Sequence, residues 1–181
     1  MKHLLSISFL IISISVVCQE NANHSNDKLK NLLCGSVYQQ EYYGPGQHPF
    51  YLSNQPIVGE LTYKDQHYED IPVLYDVYNQ KIVFFQDIDP EKPRYISLNS
   101  RYINQWSFSK NLKSYHFKPL LKYQSILPKK SILFQVFYDN RLTYFCSFEK
   151  EFNKSPYGTQ SQFELYKSYY LIKQNTLYSI K

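Results

Sequence analysis

The chain has 181 residues, a net charge of +5, and 19 tyrosines and 12 phenylalanines against one methionine. Because 43% of the residues are apolar and 19% are charged, the composition excludes an intrinsically disordered chain and favours a single domain with an aromatic core. The five glycines build no phosphate-binding loop or dinucleotide-binding motif, so no cofactor is predicted.

The first 18 residues have the order of a secretory signal peptide. A short basic start precedes the uncharged apolar run of residues 4–17, which is short for a membrane-spanning helix. We therefore expect export to the periplasm, the cell surface or the medium, with a mature chain that begins at Gln19. The alternative is a lipoprotein whose first residue is an acylated Cys18; cleavage is preferred because Val17 is larger than the residue expected there. No second apolar segment is long enough to span a bilayer.

After the signal peptide, residues 19–35 form a polar lead-in, with one or two helical turns expected within residues 25–33. Residues 36–181 are expected to form one all-β domain, because apolar and polar residues alternate along most of it and no long helical period is present. We predict about eight strands in an antiparallel meander of hairpins that forms a curved sheet, a sandwich or a partial barrel. The predicted strands lie at residues 36–43, in three runs within residues 59–86, and at residues 94–98, 103–108, 132–148, 165–172 and 176–180.

The first hairpin with a predicted register lies within residues 59–86. A two-residue turn at Asn79 and Gln80 places Tyr78 opposite Lys81. In the strand pair just before it, simple pairing is irregular, and a bulge near Asp70 would restore a consistent core face.

The second such hairpin covers residues 132–148. A turn at Asp139 and Asn140 places Tyr138 opposite Arg141 and gives two apolar faces. A strand pair with two apolar faces belongs in the interior of a sheet, with one face on the core and the other under a cover or a partner.

Removal of the signal peptide leaves two cysteines, Cys34 and Cys146. In an oxidising compartment the two can form a disulfide, which would contribute about 4 kcal/mol in the chain-entropy model. The equally weighted alternative is two separate small apolar side chains.

Residues 101–138 contain seven basic residues and no aspartate or glutamate. Basic residues interleaved with aromatic rings predict contact with an anionic partner such as a phosphorylated glycolipid, phospholipid headgroups or nucleic acid. Carbohydrate is a further candidate because tyrosine and tryptophan rings stack on sugars, and an envelope protein is another. The preferred alternative is that the lysines are solvent-facing and protect strand edges. The candidate binding residues are Lys113, Lys118, Lys122, Lys129, Lys130, Tyr115, Tyr123 and Trp106.

No motif in the chain identifies an enzyme or a metal site. The alternating carboxylates of residues 87–93 lack the glycine and the distal glutamate of a calcium-binding loop, so no metal is predicted. His67 and Glu69, with Asp76 in the same meander, are a conceivable acid–base group, but an unaccompanied His-x-Glu is a weak motif. The sequence favours a non-enzymatic binding or structural protein; the alternative is a small secreted hydrolase with an unrecognised active site.

A set of short motifs is spread over residues 36–172. They comprise Gly46, Pro49 and Phe50, then Gly59, Tyr63, Tyr68, Ile71, Pro72, Val73, Tyr75 and Asp76, and finally Tyr169, Tyr170 and Leu171. This pattern resembles a broad set of exported proteins of unassigned function from Gram-negative bacteria. The resemblance implies a signal-bearing, β-rich envelope or secreted protein and brings no catalytic residue with it.

Overall fold

The structure is a computed structural model, and it describes residues 29–41, 44–86, 94–128, 131–154 and 162–180. The chain divides into two compact units, residues 1–34 and residues 35–181. In the first unit, residues 29–33 are helical, within the segment predicted to form one or two helical turns. The predicted signal peptide and the acidic loop at residues 87–93 lie outside the described residues. None of the helices described is long and apolar enough to cross a membrane.

The second unit is built on one antiparallel sheet of eleven strands, which confirms the all-β prediction. In the sheet the strands follow the order β1-β5-β4-β3-β2-β6-β7-β8-β9-β10-β11. The edge strands β1 and β11 do not pair with each other, so the sheet is open. The strands are β1 (Ser36–Val37), β2 (Ile57–Tyr63), β3 (Gln66–Asp76), β4 (Lys81–Gln86), β5 (Arg94–Leu98), β6 (Ile103–Lys110), β7 (Lys113–Lys118), β8 (Phe134–Asp139), β9 (Leu142–Asn153), β10 (Gln162–Lys173) and β11 (Thr176–Ile180).

Two meanders, together with the short edge strand β1 beside β5, make up this sheet. One runs from β2 to β5 and the other from β6 to β11, and they are joined by the pairing of β2 with β6. A 3-10 turn at Ser100–Tyr102 connects them in the chain. The last hairpin turns at Gln174 and Asn175, as predicted, and ends in an edge strand.

The predicted register of the β3–β4 hairpin is wrong by two residues. Tyr75 is opposite Ile82 and Asp76 is opposite Lys81, which leaves residues 77–80 as a four-residue loop. The cause is the fully buried Asp76, whose carboxylate accepts hydrogen bonds from the backbone N–H of Asn79 at 2.8 Å and from its Nδ2 at 2.9 Å. Because strand side chains alternate with a period of two, the shift leaves each residue on its predicted face.

The predicted register of the β8–β9 hairpin is also wrong, although its placement is correct. Tyr138 is opposite Tyr144 rather than Arg141, and a bulge lies between Val136 and Tyr138. The longer turn is closed by the N–H of Asn140, which donates to the carbonyl of Leu142 at 3.1 Å. The hairpin lies inside the sheet between β7 and β10, as its two apolar faces predicted.

The bulge predicted near Asp70 is present. Gly59 is opposite Ile71 and Leu61 is opposite Tyr68, so β3 has one more residue than β2 over this interval. Asp70 has a φ of 53°, a left-handed conformation that aspartate tolerates better than most side chains.

We call the two sides of the sheet its inner and outer faces. The inner face is defined by a row of mutually opposite residues, namely Leu61, Trp106, Phe117, Gln135, Cys146 and Tyr169. Tyr51 packs on this face, with its ring centroid 5.3 Å from that of Phe117 and 4.6 Å from that of Phe148. Contacts between the β3–β4 loop and β9 show that the sheet curves around these rings: Nε2 of Gln80 donates to the carbonyl of Phe148 at 3.1 Å.

On the outer face, a second apolar cluster lies under the connection between β7 and β8. Leu120 and Leu127 of that connection pack on Phe134, Phe145 and Ile172 of the sheet. The second apolar face of the β8–β9 hairpin is therefore covered by the chain itself, as one of the two predicted alternatives required.

Candidate functional site

The structure describes six of the eight predicted binding residues, and these six lie in three different places. Lys129 and Lys130 lie outside the described residues. Trp106, predicted as a binding residue, is wrongly assigned: it is 0% exposed, and it packs between Phe108 and Phe117 with centroid distances of 4.8 and 5.1 Å. Its position in the inner row makes it a core residue.

Three of the predicted residues lie together at the outer cluster. Lys118 forms an ion pair with Asp139, and the pKa of that carboxyl is lowered, first by the hydrogen bond from Lys118. The Nζ of Lys122 lies 4.6 Å from the ring centroid of Tyr123, and their hydrogen bond raises the pKa of the lysine and lowers that of the tyrosine. Because Tyr123 also packs against the outer apolar cluster, it forms part of the chain's own cover over the sheet.

The remaining two, Lys113 and Tyr115, lie on the inner face in the first half of β7. Tyr115 is half-buried and stacks on Phe108, with centroids 4.7 Å apart and ring planes at 8°. Lys113 is exposed and lies opposite Lys110, the last residue of β6. Both side chains are therefore at least partly exposed on the inner face, and a binding role for them stays a prediction.

Further aromatic residues, not predicted as binding residues, lie on the same face in the next three strands. Phe137, Tyr144 and Tyr169 form a triangle with centroid distances of 5.0, 6.3 and 6.3 Å and interplanar angles between 25° and 34°. Phe137 is 46% exposed, while Tyr144 and Tyr169 are half-buried. We call Tyr115, Phe137, Tyr144 and Tyr169 the inner aromatic surface.

Polar groups lie beside the inner aromatic surface. The hydroxyl of Tyr51 donates to Oε1 of Gln135 at 3.3 Å, and burial, followed by the proximity of Tyr115 and other acidic groups, raises the pKa of Tyr51. Lys167 is exposed and lies two residues before Tyr169 on the same side of β10. The surface therefore combines stacked rings, hydroxyl and amide groups and a cation.

Other cavities lie elsewhere in the described part of the chain, and two of them are of similar volume. The first, of about 420 Å³, lies beneath the β7–β8 connection and has Arg101, Leu121, Gln124 and Phe134 in its wall. The second is an open cleft of about 430 Å³ at the β2–β3 bulge, lined by the following polar side chains among others: Glu60, Glu69, Asp70, Ser107, Ser109, Ser114 and His116.

The conceivable acid–base group of His67, Glu69 and Asp76 is not assembled. His67 and Glu69 are both exposed, with 3.7 Å between Nε2 and Oε1. Asp76 lies nine residues along β3, about 30 Å away at the usual rise of a strand. It is buried, and accepts a hydrogen bond of 2.7 Å from the hydroxyl of Tyr38, so its role is structural.

The bulge cleft is the arrangement that most resembles a catalytic site. It brings one histidine, carboxylates and serines together, yet within the part of the chain described no hydrogen bond joins His116 to any of them. Its two internal side-chain bonds are Ser107 to Glu60 at 3.4 Å and Ser109 to Ser114 at 3.3 Å. No group of three or more potential ligands among the described residues is arranged to hold a metal ion.

Cys34 and Cys146 are both free thiols in the structure. The Sγ of Cys34 donates to the carbonyl of Lys30 at 3.2 Å, and that of Cys146 donates to the carbonyl of Ser147 at 3.3 Å. Burial raises the pKa of Cys146 to about 11, which keeps its thiol protonated at neutral pH. A disulfide between the two stays a prediction.

No protein-family model, no curated protein and no solved structure matches this chain.

Proposed function

We propose that the chain is an exported, non-enzymatic protein that binds an anionic carbohydrate on its inner aromatic surface. The observation that carries this proposal is the set of partly exposed rings on one face of the sheet, with Lys167 beside them. Tyrosine rings offer an apolar face to the C–H groups of a sugar and a hydroxyl to its oxygens. The lysine supplies the attraction for a carboxylate or phosphate on the ligand.

Binding can be measured by titration calorimetry with polygalacturonate, using neutral galactan as the uncharged comparison. We expect polygalacturonate to bind, and Tyr169→Ala to weaken binding roughly tenfold through loss of one stacking contact. Lys167→Gln should weaken polygalacturonate binding without affecting any galactan binding. Tyr102→Ala is the matched control, because Tyr102 is a 49% exposed tyrosine whose ring contacts Tyr63 away from this surface. Equal affinities of wild type, Tyr169→Ala and Tyr102→Ala would refute the proposal.

Export is a separate part of the proposal and has its own test. The support is the order of residues 1–18, a basic start followed by an apolar run. Mass analysis of the protein recovered from cells should find an N-terminus at Gln19, or an acylated Cys18 if the alternative holds. Retention of Met1 would contradict both.

The second candidate function is hydrolysis at the bulge cleft. It is favoured by the convergence of His116, Glu60 and Ser107 on one open cavity, since a histidine beside carboxylates and hydroxyls is a general acid–base arrangement. Hydrolysis of ester or glycoside substrates that is lost in His116→Ala and retained in His67→Ala would support it. Equal rates in the two variants would leave the binding proposal as the better one.

A further inference from the structure

The turn between β6 and β7 has an unusual residue at its second position, compared with two other turns that have the same geometry. Three two-residue turns of the sheet have positive φ at both positions: Lys64 and Asp65, Asn111 and Leu112, and Gln174 and Asn175. In the first and third turns the second position is Asp or Asn, the side chains that tolerate a left-handed conformation. In the β6–β7 turn it is Leu112, with a φ of 61°.

Leu112 gains no packing that would offset this strain. Its exposure is 106%, the largest among the exposed apolar residues of the described chain. A branched apolar residue with positive φ and full exposure is unfavourable both for the backbone and for solvation. Strained positions of this kind, when they persist, point to a role outside folding.

The residues on either side of the turn add a second unfavourable feature. Lys110 and Lys113 are directly opposite each other, and like charges on one rung repel. Both are exposed, and neither forms an ion pair with any residue that the structure describes. The tip of this hairpin thus presents one fully exposed leucine between two lysines.

We propose that residues 110–113 form a membrane-contact tip, which docks on the surface of an anionic lipid bilayer. Leu112 enters the boundary between headgroups and acyl chains, and the ammonium groups of Lys110 and Lys113 bind the lipid phosphates. A bilayer is the occupant that fits all three residues, because it offers apolar volume directly beneath a layer of negative charge. A nucleic acid or an acidic polypeptide without an apolar pocket would satisfy the lysines and leave the leucine in water.

The contact is weak and reversible, since each lysine near an anionic surface contributes about a fivefold gain and one leucine about a tenfold gain. It serves as a peripheral contact for a protein held near a membrane, and not as a stable anchor. It lies at the tip of the β6–β7 hairpin and goes beyond the carbohydrate proposal, which depends on the rings of the inner aromatic surface and on Lys167.

The experiment is co-sedimentation of the exported protein with vesicles of phosphatidylcholine and phosphatidylglycerol in equal parts, and with vesicles of phosphatidylcholine alone. We expect binding to the anionic vesicles only, weakening as salt is raised. Leu112→Gly is the decisive variant, because glycine adopts the positive φ without strain. We expect about tenfold weaker vesicle binding together with a raised or unchanged unfolding midpoint. Lys110→Gln combined with Lys113→Gln should weaken binding by about 25-fold and remove its salt dependence.

Lys64→Gln is the matched control, since Lys64 is an exposed lysine in the equivalent β2–β3 turn, and it should bind vesicles as the wild type does. Tyr169→Ala should also leave vesicle binding unchanged, which separates this proposal from the carbohydrate one. The proposal is overturned if Leu112→Gly binds as tightly as wild type, if it lowers the unfolding midpoint, or if polyglutamate or RNA binds while anionic vesicles do not.

Discussion

Gln80 donates from Nε2 to the carbonyl of Phe148, 68 positions later in the chain, at 3.1 Å. The same amide donates to the carbonyl of Val77 at 2.6 Å, while its Oε1 accepts from the hydroxyl of Tyr75 at 2.6 Å and from the N–H of Ile132 at 3.1 Å. The side chain of Gln80 thus joins the β3–β4 loop to β9 and to Ile132, which lies just before β8.

We expect Gln80→Leu to lower the free energy of unfolding by about 3 kcal/mol, because it leaves several partly or fully buried polar groups without this partner. Urea unfolding followed by fluorescence measures the change. Gln105→Leu is the control, since Gln105 is exposed on β6 and should change stability by less than about 0.5 kcal/mol. Similar losses in both variants would show that the Gln80 bonds carry no special stability.

Gly59 should tolerate no side chain. A Cβ at this position would lie 2.2 Å from the carbonyl oxygen of Ser107 and 2.9 Å from Cβ of Phe108. The first of these contacts is with backbone, so β2 and β6 would have to move apart. We expect Gly59→Ala to destabilise the fold by about 1–3 kcal/mol, and Val58→Ala, next to it and exposed, to be nearly neutral. Thermal unfolding of the two variants tests this difference.

Stability should rise with pH between about 8 and 10 because of Lys150. Burial lowers the pKa of Lys150 to about 8, whereas the unfolded chain keeps the ordinary value of 10.5. In this interval the unfolded state binds more protons than the folded state, so the free energy of unfolding increases as pH rises. Above pH 10 the trend should reverse, because burial raises the pKa of Tyr75 and the unfolded state then loses its tyrosine protons first.

Urea unfolding at pH 7, 8.5 and 9.5 measures this dependence. Lys150→Met should remove the rise, and Lys154→Met, at an exposed lysine in the same region of the chain, should keep it. A rise that persists in Lys150→Met would assign the effect to another group.

The two cysteines should differ sharply in their reaction with iodoacetamide. Cys34 is exposed and should be alkylated in the folded protein, whereas Cys146 is fully buried with a raised pKa and should react only after unfolding. Mass analysis of the labelled peptides gives both extents of reaction. If neither cysteine of the protein recovered from cells reacts until a reductant is added to the unfolded chain, the disulfide prediction is correct.

The sequence predicted the fold class and most of the strands, because alternation reports which side chains face the core. The bulge near Asp70 and the turn at Gln174 and Asn175 were correct for the same local reasons. The register of the β3–β4 hairpin failed because Asp76 accepts a hydrogen bond from the N–H of Asn79, three residues later, and this local bond closes a longer loop than the two-residue turn that was predicted. Strand β7 was missed because lysine, serine and histidine occupy most of its solvent-facing positions.

The candidate binding residues were predicted less well than the fold. Charge and aromatic content identified residues 101–130 correctly as a basic segment, but they could not separate Trp106 in the core from Tyr115 at the surface. The inner aromatic surface draws Phe137, Tyr144 and Tyr169 from three strands, and only their pairing brings the rings together. The positive φ of Leu112 could not be predicted from the sequence either, since leucine in this turn position contradicts the usual residue preference.

The ladder between β7 and β8 consists of two residue pairs, Phe117 with Gln135 and Lys118 with Phe134, and it is the shortest in the interior of the sheet. Backbone pairing between strands β1 to β7 and strands β8 to β11 is therefore limited to these two residue pairs, and side-chain bonds such as that of Gln80 to Phe148 supply the rest of the connection. Native-state hydrogen exchange should resolve the two groups of strands as separate cooperative units, with the amides of residues 113–116 among the first strand amides to exchange. No backbone pair joins Tyr115 to Phe137 beyond this short ladder, so the sheet can widen there without breaking a strand pair, and the gap that opens lies within the inner aromatic surface.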